Sequence, residues 1–154
     1  MALTQQELVP TPGHPLERED IKKILPHREP FLWVDRIVEH DLGKHVTGEL
    51  FIDPVWPHFE GHFPGHPVMP GVLMLEALAQ TAGIALLANP ENDGRLGFLA
   101  KVDNAKFRKQ VVPGDTLVLE AEILKANSRS ARAHVVARVG GEVCVEADQF
   151  YVMA

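Results

Sequence analysis

The sequence of 154 residues predicts a single α+β domain in which a curved antiparallel sheet wraps around one long central helix. Residues 71–88 combine strong helix formers with few polar positions, which indicates a buried helix. The second half of the chain alternates apolar and polar residues, which is typical of an antiparallel sheet with one covered face. Only one helix is long and apolar enough to cover that face.

The remaining elements are short. Residues 17–25 predict an amphipathic helix that ends at Pro26. Residues 53–70 are so rich in proline and glycine that no regular element is expected there, and Gly140 and Gly141 suit a tight hairpin turn. Strands are expected at residues 32–39, 45–52, 96–107, 117–123, 131–139 and 143–147. Because one sheet cannot enclose the helix on all sides, we expect a second subunit to complete the enclosure.

Composition and charge exclude several classes of protein. Hydrophobic residues make up 45% of the chain and charged residues 23%, as in globular domains. The net charge of −6 argues against nucleic acid as the main partner. The single cysteine, Cys144, excludes a disulfide scaffold and a metal site with several cysteines.

The N-terminus predicts an arm rather than an export signal. Residues 1–19 are expected to form a flexible arm, and residues 20–154 the folded domain. The start of the chain lacks the positive charge and apolar run of a secretory signal. The most apolar stretch, residues 72–88, is shorter than the ~20 residues that a membrane span needs. We therefore expect a cytoplasmic protein, or a mature organellar one.

Glu76 is the one charged residue between His66 and Glu91, and it lies in the second turn of the predicted central helix. A buried carboxylate is costly unless it is paired, and a buried carboxyl group that keeps its proton is a usable acid near neutral pH. Gln80 lies four residues further on the same helix face, where it can hydrogen-bond Glu76. A structural salt bridge across a dimer interface would explain Glu76 equally well.

Gly71 stands directly after Pro70 at the start of the same helix. The first N–H groups of a helix have no partner within it, and the helix dipole favours negative charge there. A glycine also lets a ligand carbonyl approach closely. The position could polarise a thioester or carboxyl oxygen, although a simple helix start explains it as well.

Three histidines recur at every fourth position before this helix: His58, His62 and His66. On a helix they would line one face and indicate a metal site. The prolines and glycines among them forbid such a helix, so no metal site is expected. At most one of the three is expected to face the helix that carries Glu76, and the spacing alone does not select it.

The sequence resembles a known enzyme family. Residues 61–80, GHFPGHPVMPGVLMLEALAQ, resemble the signature of the β-hydroxyacyl-acyl-carrier-protein dehydratases of bacterial fatty-acid synthesis, the FabZ type. Residues 25–32 (LPHREPFL) and 34–36 (VDR) resemble the family's earlier pattern, and residues 107–109 (FRK) and 112–115 (VPGD) its later one. The resemblance covers nearly the whole chain, from about residue 19 to residue 152.

The resemblance implies a hotdog fold and an activity. The implied reaction dehydrates (3R)-hydroxyacyl-acyl-carrier-protein to trans-2-enoyl-acyl-carrier-protein without a cofactor. The resemblance places the catalytic histidine at His62 and the catalytic carboxylate at Glu76, supplied by opposite subunits of a homodimer, and it implies that dimers assemble into a trimer of dimers. The chemistry of the reaction makes His62 the candidate base and Glu76 the candidate acid. The backbone N–H of Gly71 would bind the thioester oxygen, and Gln80 would support Glu76. Glutamate at position 76, instead of the aspartate of the related dehydratase–isomerases, implies no isomerisation.

The implied partner is acyl carrier protein, which is small and acidic. A basic cluster is proposed to dock it, although a solvated face explains the same residues: Lys101, Lys106, Arg108 and Lys109. An acyl tunnel is proposed from apolar residues that core packing explains as well: Leu75, Leu78, Ala79, Phe98 and Leu99. The chain departs from the family's usual residues at Glu29, at residues 56–59 and at His66.

Three other functions remain open on the sequence. A hotdog thioesterase would release free thiol from similar substrates. A non-catalytic acyl-thioester-binding protein would bind such substrates without turnover. A metalloprotein would use His58, His62 and His66.

Overall fold

The computed structural model describes residues 15–41 and 43–154, which form one six-stranded antiparallel sheet and a central helix. The strands are β1 (Arg36–Asp41), β2 (His45–Phe51), β3 (Gly97–Phe107), β4 (Thr116–Ala126), β5 (Ser130–Val139) and β6 (Glu142–Met153). They lie in the order β1-β2-β4-β5-β6-β3. The helices are α1 (Arg18–Ile24) and α2 (Gly71–Leu87). The predicted fold, an antiparallel sheet around one long helix, is confirmed.

One face of the sheet is covered, as the alternating pattern predicts. The inward residues of β5 are each at most 2% exposed: Ala131, Ala133, Val135 and Ala137. Gly140 and Gly141 join β5 to β6 with φ values of 57° and 83°. Two successive residues with positive φ are typical of the type I′ turn that matches the twist of a hairpin, which explains why glycine occupies both positions.

Helix α2 packs against five of the six strands, but its own chain covers only part of its surface. Ala77, Leu78 and Ala82 are completely buried. Val72, in the first turn, is 71% exposed because the sheet curls around one side of the helix only. The single chain therefore leaves the first turns uncovered, as expected for a helix that one sheet cannot enclose on all sides. No helix within the described residues is long and apolar enough to cross a membrane.

The packed part of the chain begins before residue 20. Leu16 is 1% exposed and exchanges two backbone hydrogen bonds, of 2.9 and 2.8 Å, with Ile37. Helix α1 then starts at Arg18, with Glu17 and Asp20 forming a capping box. Residues 1–14 of the predicted arm lie outside the described residues.

Two predictions of local structure differ from the observed fold for identifiable reasons. The strand expected from residue 32 begins at Arg36, because the N–H of Trp33 bonds the side chain of Gln80 instead of a neighbouring strand. The loop at residues 53–70 contains one turn of 3₁₀ helix, Pro57–Glu60. Proline suits the first position of such a turn because the N–H that it lacks would be unpaired there in any case.

Strand β3 forms one edge of the sheet and carries exposed apolar side chains. Phe98 is 53% exposed and Phe107 is 54% exposed. An edge strand presents unpaired backbone groups that can pair with another chain. This edge is consequently suited to contact a second subunit.

Candidate functional site

Glu76 lines an apolar pocket between α2, β3 and β6. Its side chain is 24% exposed, because it lies in the second turn of α2, where the sheet leaves the helix partly uncovered. Most of the pocket wall is aliphatic: Leu25, Ala79, Leu86, Leu87, Leu99 and Met153. The polar side chains in the wall are few: His27, Glu76, Gln80 and Tyr151. A pocket of this kind suits a ligand with an apolar chain and a single polar group.

Gln80 hydrogen-bonds Glu76, as the spacing of four residues predicts. Gln80 Nε2 lies 3.1 Å from Glu76 Oε1 and 2.9 Å from the carbonyl oxygen of Phe31. Gln80 Oε1 accepts a hydrogen bond of 2.8 Å from the N–H of Trp33. Both ends of this buried amide are therefore fixed, so its N–H is held toward the carboxyl group of Glu76.

The sequence reasoning missed two polar residues of this pocket. His27 Nε2 lies 3.7 Å from Glu76 Oε1, and burial lowers the pKa of His27. Tyr151 donates a 2.5 Å hydrogen bond to Gln149, whose Nε2 in turn bonds the carbonyl oxygen of Leu75, the residue before Glu76. Burial, with a contribution from the charge of Glu76, raises the pKa of Tyr151, so its phenol stays protonated. His27 lies within residues 25–32, which resemble a pattern of the family, and this resemblance could have indicated that it belongs to the site.

His62 lines a second pocket, formed by the proline-rich loop and the start of α2. Its Nδ1 lies 2.7 Å from the carbonyl oxygen of Val68, and its ring stacks on Phe63 at 4.1 Å between centroids. Reciprocal backbone hydrogen bonds between Phe63 and His66, of 2.9 and 2.8 Å, close the loop into a tight turn. A hydrogen on Nδ1, bonded to this carbonyl, leaves Nε2 as the acceptor that a general base requires.

Gly71 lies in the His62 pocket, beside the ring of Phe107. A Cβ atom at Gly71 would lie 2.5 Å from Phe107 Cε1, closer than real Cβ atoms approach other atoms, so only glycine fits without a shift of the ring. Among the residues that the structure describes, none accepts a hydrogen bond from the Gly71 N–H. This N–H is free to bind an oxygen atom of a ligand.

Within one chain, His62 and Glu76 do not share a pocket. The two pockets have no lining residue in common, although both lie along α2. On one chain the two side chains therefore face different pockets.

The predicted acyl-tunnel residues divide into three groups. Ala79 and Leu99 line the Glu76 pocket. Leu78 is completely buried in the core and lines neither pocket. Leu75 is partly buried against the core, and Phe98 is exposed on β3.

Three of the four basic residues expected to dock a carrier are paired with carboxylates. Arg108 lies 2.6 Å from Glu146, Lys109 2.9 Å from Glu142 and Lys101 3.3 Å from Asp103. Within the described part of the chain, Lys106 forms no ion pair of this kind. Arg108 and Lys109 also border the His62 pocket, which places two cations at its mouth.

His58 lies in an aromatic cluster with Trp33, Trp56 and Phe59. His66 lies in the tight turn that follows His62. Across residues 15–41 and 43–154, no three histidine, cysteine, aspartate or glutamate side chains come close enough to hold a metal ion. Cys144 is buried, and burial raises the pKa of its thiol.

Comparison with known proteins connects the chain to one family. The chain is 49% identical over 138 residues to the 3-hydroxyacyl-[acyl-carrier-protein] dehydratase FabZ of Bacillus subtilis, covering 90% of this chain and 98% of that protein. It is 48% identical over 139 residues to the enzyme of the same name from Caldanaerobacter subterraneus subsp. tengcongensis, covering 90% of this chain and 99% of that protein.

A solved structure shows the same fold. The dehydratase heterocomplex ApeI:P from Xenorhabdus doucetiae matches with a TM-score of 0.74 at 16% identity, covering 87% of this chain and 90% of that chain.

The family model described as a FabA-like domain matches residues 25–148. The resemblance found in the sequence is thereby confirmed, and the chain belongs to the FabA-like family.

Proposed function

We propose that this protein dehydrates 3-hydroxyacyl chains carried on acyl carrier protein, as part of fatty-acid biosynthesis. The observation that carries the proposal is the placement of its polar groups. A histidine with a free Nε2 and an unpaired helix N–H share one pocket, and a carboxyl group lines an apolar pocket one turn further along α2. The names of the FabZ relatives describe the same reaction.

His62 is the proposed base. Dehydration of a 3-hydroxyacyl thioester removes a proton from the carbon next to the thioester carbonyl. The hydrogen bond between His62 Nδ1 and the Val68 carbonyl holds the ring so that Nε2 can take this proton. The N–H of Gly71, in the same pocket, would stabilise the negative charge that develops on the thioester oxygen. A helix N-terminus is favourable for such a charge.

Glu76 is the proposed acid. Its carboxyl group would give a proton to the β-hydroxyl group, directly or through a water molecule, so that the hydroxyl leaves as water. The Gln80 hydrogen bond at 3.1 Å orients the carboxyl group for this transfer. The pair of proton transfers leaves an enoyl thioester and water, with no change of oxidation state and no cofactor.

A homodimer is proposed as the functional unit, because one chain keeps His62 and Glu76 in separate pockets. The exposed edge strand β3 and the uncovered first turns of α2 form the surface that a partner would cover. The partner would then supply His62 to the Glu76 pocket. Assembly into a trimer of dimers and a cytoplasmic location stay predictions.

The two pockets also divide the substrate. The apolar wall of the Glu76 pocket, which includes Ala79 and Leu99, is proposed to hold the acyl chain. The carrier protein would then dock beside the His62 pocket, where Arg108 and Lys109 can face its acidic surface. Both cations already form ion pairs with carboxylates of this chain. We therefore expect them to raise the rate at which the carrier protein associates more than the affinity of the complex.

An assay that follows the enoyl product and free thiol together tests the proposal. Purified protein is given a 3-hydroxyacyl carrier substrate, alongside His62→Ala and Glu76→Gln variants. Enoyl formation by the parent without thiol release supports the dehydratase. In both variants the rate of enoyl formation should fall by a factor on the order of 10²–10⁴. Thiol release would make the protein a thioesterase, and binding without turnover would make it an acyl-binding protein.

A further inference from the structure

The carboxyl group of Glu76 is held asymmetrically in its pocket. Gln80 Nε2 lies 3.1 Å from Oε1, and His27 Nε2 lies 3.7 Å from the same oxygen. Oε2 forms no hydrogen bond with any residue that the structure describes. Two nitrogen groups therefore converge on one oxygen of the carboxyl group, and the other oxygen is left for a ligand.

The surroundings of His27 favour its neutral form. Nδ1 is buried and has no hydrogen-bond partner, whereas a charged imidazolium carries a hydrogen on both ring nitrogens. Charging His27 would therefore bury a donor without an acceptor, which is costly. Burial lowers the pKa of His27, the Arg28 guanidinium lowers it further, and the charge of Glu76 opposes them. Tyr151, the remaining titratable group of the pocket, is a neutral phenol.

We propose that His27 is a positioning residue for Glu76: a neutral imidazole whose Nε2–H faces Oε1 beside the Gln80 amide, so that Oε2 exchanges the proton with the substrate. This inference rests on the proposed function, in which Glu76 is the acid. Two N–H groups that face Oε1 occupy that oxygen as an acceptor, so Oε2 is the oxygen left to meet the substrate.

The proposed role of His27 also requires that its imidazole be neutral. A charged imidazolium 3.7 Å from Oε1 would form an ion pair with the carboxylate and hold it in place as a fixed anion, whereas a neutral imidazole offers only an N–H. The distance is longer than a hydrogen bond, and the contact is expected to shorten when a substrate closes the pocket, as hydrogen bonds in catalytic sites do.

The first test reads the imidazole directly and does not depend on turnover. Protein labelled with ¹⁵N-histidine is studied by NMR at pH 7, and a His27→Gln variant assigns the resonances of His27. A neutral ring with its hydrogen on Nε2 is the expected result. An imidazolium, or a neutral ring with its hydrogen on Nδ1, would overturn the inference.

The second test separates positioning from folding. His27→Leu removes the N–H, and kcat is expected to fall on the order of tenfold while KM stays unchanged. His27→Gln keeps an amide N–H of similar reach and is expected to recover most of that loss. His45→Gln, on the far strand β2, is the matched control and should leave both constants unchanged.

The kinetic results can overturn the positioning role of His27 in two ways. A His27→Leu variant with the kcat of the parent would overturn the inference. Equal losses of kcat in His27→Leu and His27→Gln, with an equally lowered Tm, would show a packing role instead and would also overturn it. A parent protein that binds acyl thioesters without dehydrating them would reject the proposed function, and the NMR result would still report the state of His27.

Discussion

Gln80 Nε2 donates a 3.1 Å hydrogen bond to Glu76 Oε1, and the backbone of residues 31–33 fixes the amide that does so. Gln80→Leu would leave the Trp33 N–H and the Phe31 carbonyl without a partner in a buried place. We expect a loss of stability of about 1–3 kcal/mol and a fall in kcat of about tenfold or more.

Urea unfolding and steady-state kinetics measure both effects. Thr81→Val is the matched control, because it removes a buried 2.9 Å hydrogen bond to Ala77 on the same helix without contacting Glu76. The control should lose stability and keep its kcat. Equal kcat values in Gln80→Leu and Thr81→Val would show that the amide does not position Glu76.

Gly71 is expected to tolerate no side chain while Phe107 keeps its place. In Gly71→Ala the new Cβ would meet the Phe107 ring, and moving that ring is expected to cost about 1–3 kcal/mol. A Gly71→Ala/Phe107→Leu double variant should regain most of this stability, which thermal unfolding measures. If the double variant is as unstable as Gly71→Ala, backbone constraints and not the ring require glycine.

Reversing the charges beside the His62 pocket should weaken the binding of the carrier protein more than the binding of the acyl group. Arg108→Glu/Lys109→Glu is expected to raise the KM for carrier-bound substrate several-fold, by weakening electrostatic attraction. The KM for a small thioester analogue should stay unchanged, which controls for damage to the pocket. Lys125→Glu, outside the pocket, makes the same kind of change as a control. Equal KM values for the carrier substrate in all three proteins would exclude docking at this surface.

Glu29 is expected to stabilise the fold only while it is ionised. Hydrogen bonds from Lys22, with a further one from Arg18, lower its pKa from 4.5 to about 2. Because the folded pKa is depressed, the stabilisation is present above about pH 4.5 and is lost as the pH falls toward 2. The effect is small and sensitive to salt, since the carboxylate is exposed.

Urea unfolding of Glu29→Gln across this pH range checks the prediction. The variant should be less stable than the parent at pH 7, and the difference should vanish at the acid end. Glu60→Gln, an exposed change away from these partners, should show no such trend. A difference that is independent of pH would mean that Glu29 acts through packing.

The elements that follow from local patterns were predictable from the sequence. The apolar run that starts at Gly71 and the paired glycines at positions 140 and 141 each determine their element through nearby residues. The hydrogen bond between Gln80 and Glu76 follows from helix spacing alone. The resemblance to the dehydratase family added the selection of His62 from three similar histidines, which spacing could not make.

The rest depends on contacts between distant parts of the chain. Trp33 leaves the predicted strand because its N–H meets Gln80, which lies 47 positions away. His27 and Tyr151 come from opposite ends of the chain to line the Glu76 pocket, and no periodic pattern in the sequence predicts that they lie there together. The carboxylates that pair with Arg108 and Lys109 lie on β6, so a basic run in the sequence becomes a mixed surface in the fold.

In the proposed enzyme, one catalytic site combines His62 of one chain with Glu76 of another. His62→Ala and Glu76→Gln chains, each nearly inactive alone, can be co-expressed in equal amounts with two different tags. Half of the dimers should then be mixed, and one of the two sites in each mixed dimer holds both residues.

Mixed protein is purified through both tags, and its enoyl formation is compared with that of the parent and of each variant alone. We expect the unsorted mixture to have about a quarter of the parent activity and the doubly purified dimers about half. Activity no higher than that of the single variants, in dimers shown to be mixed, would contradict a site shared between two chains.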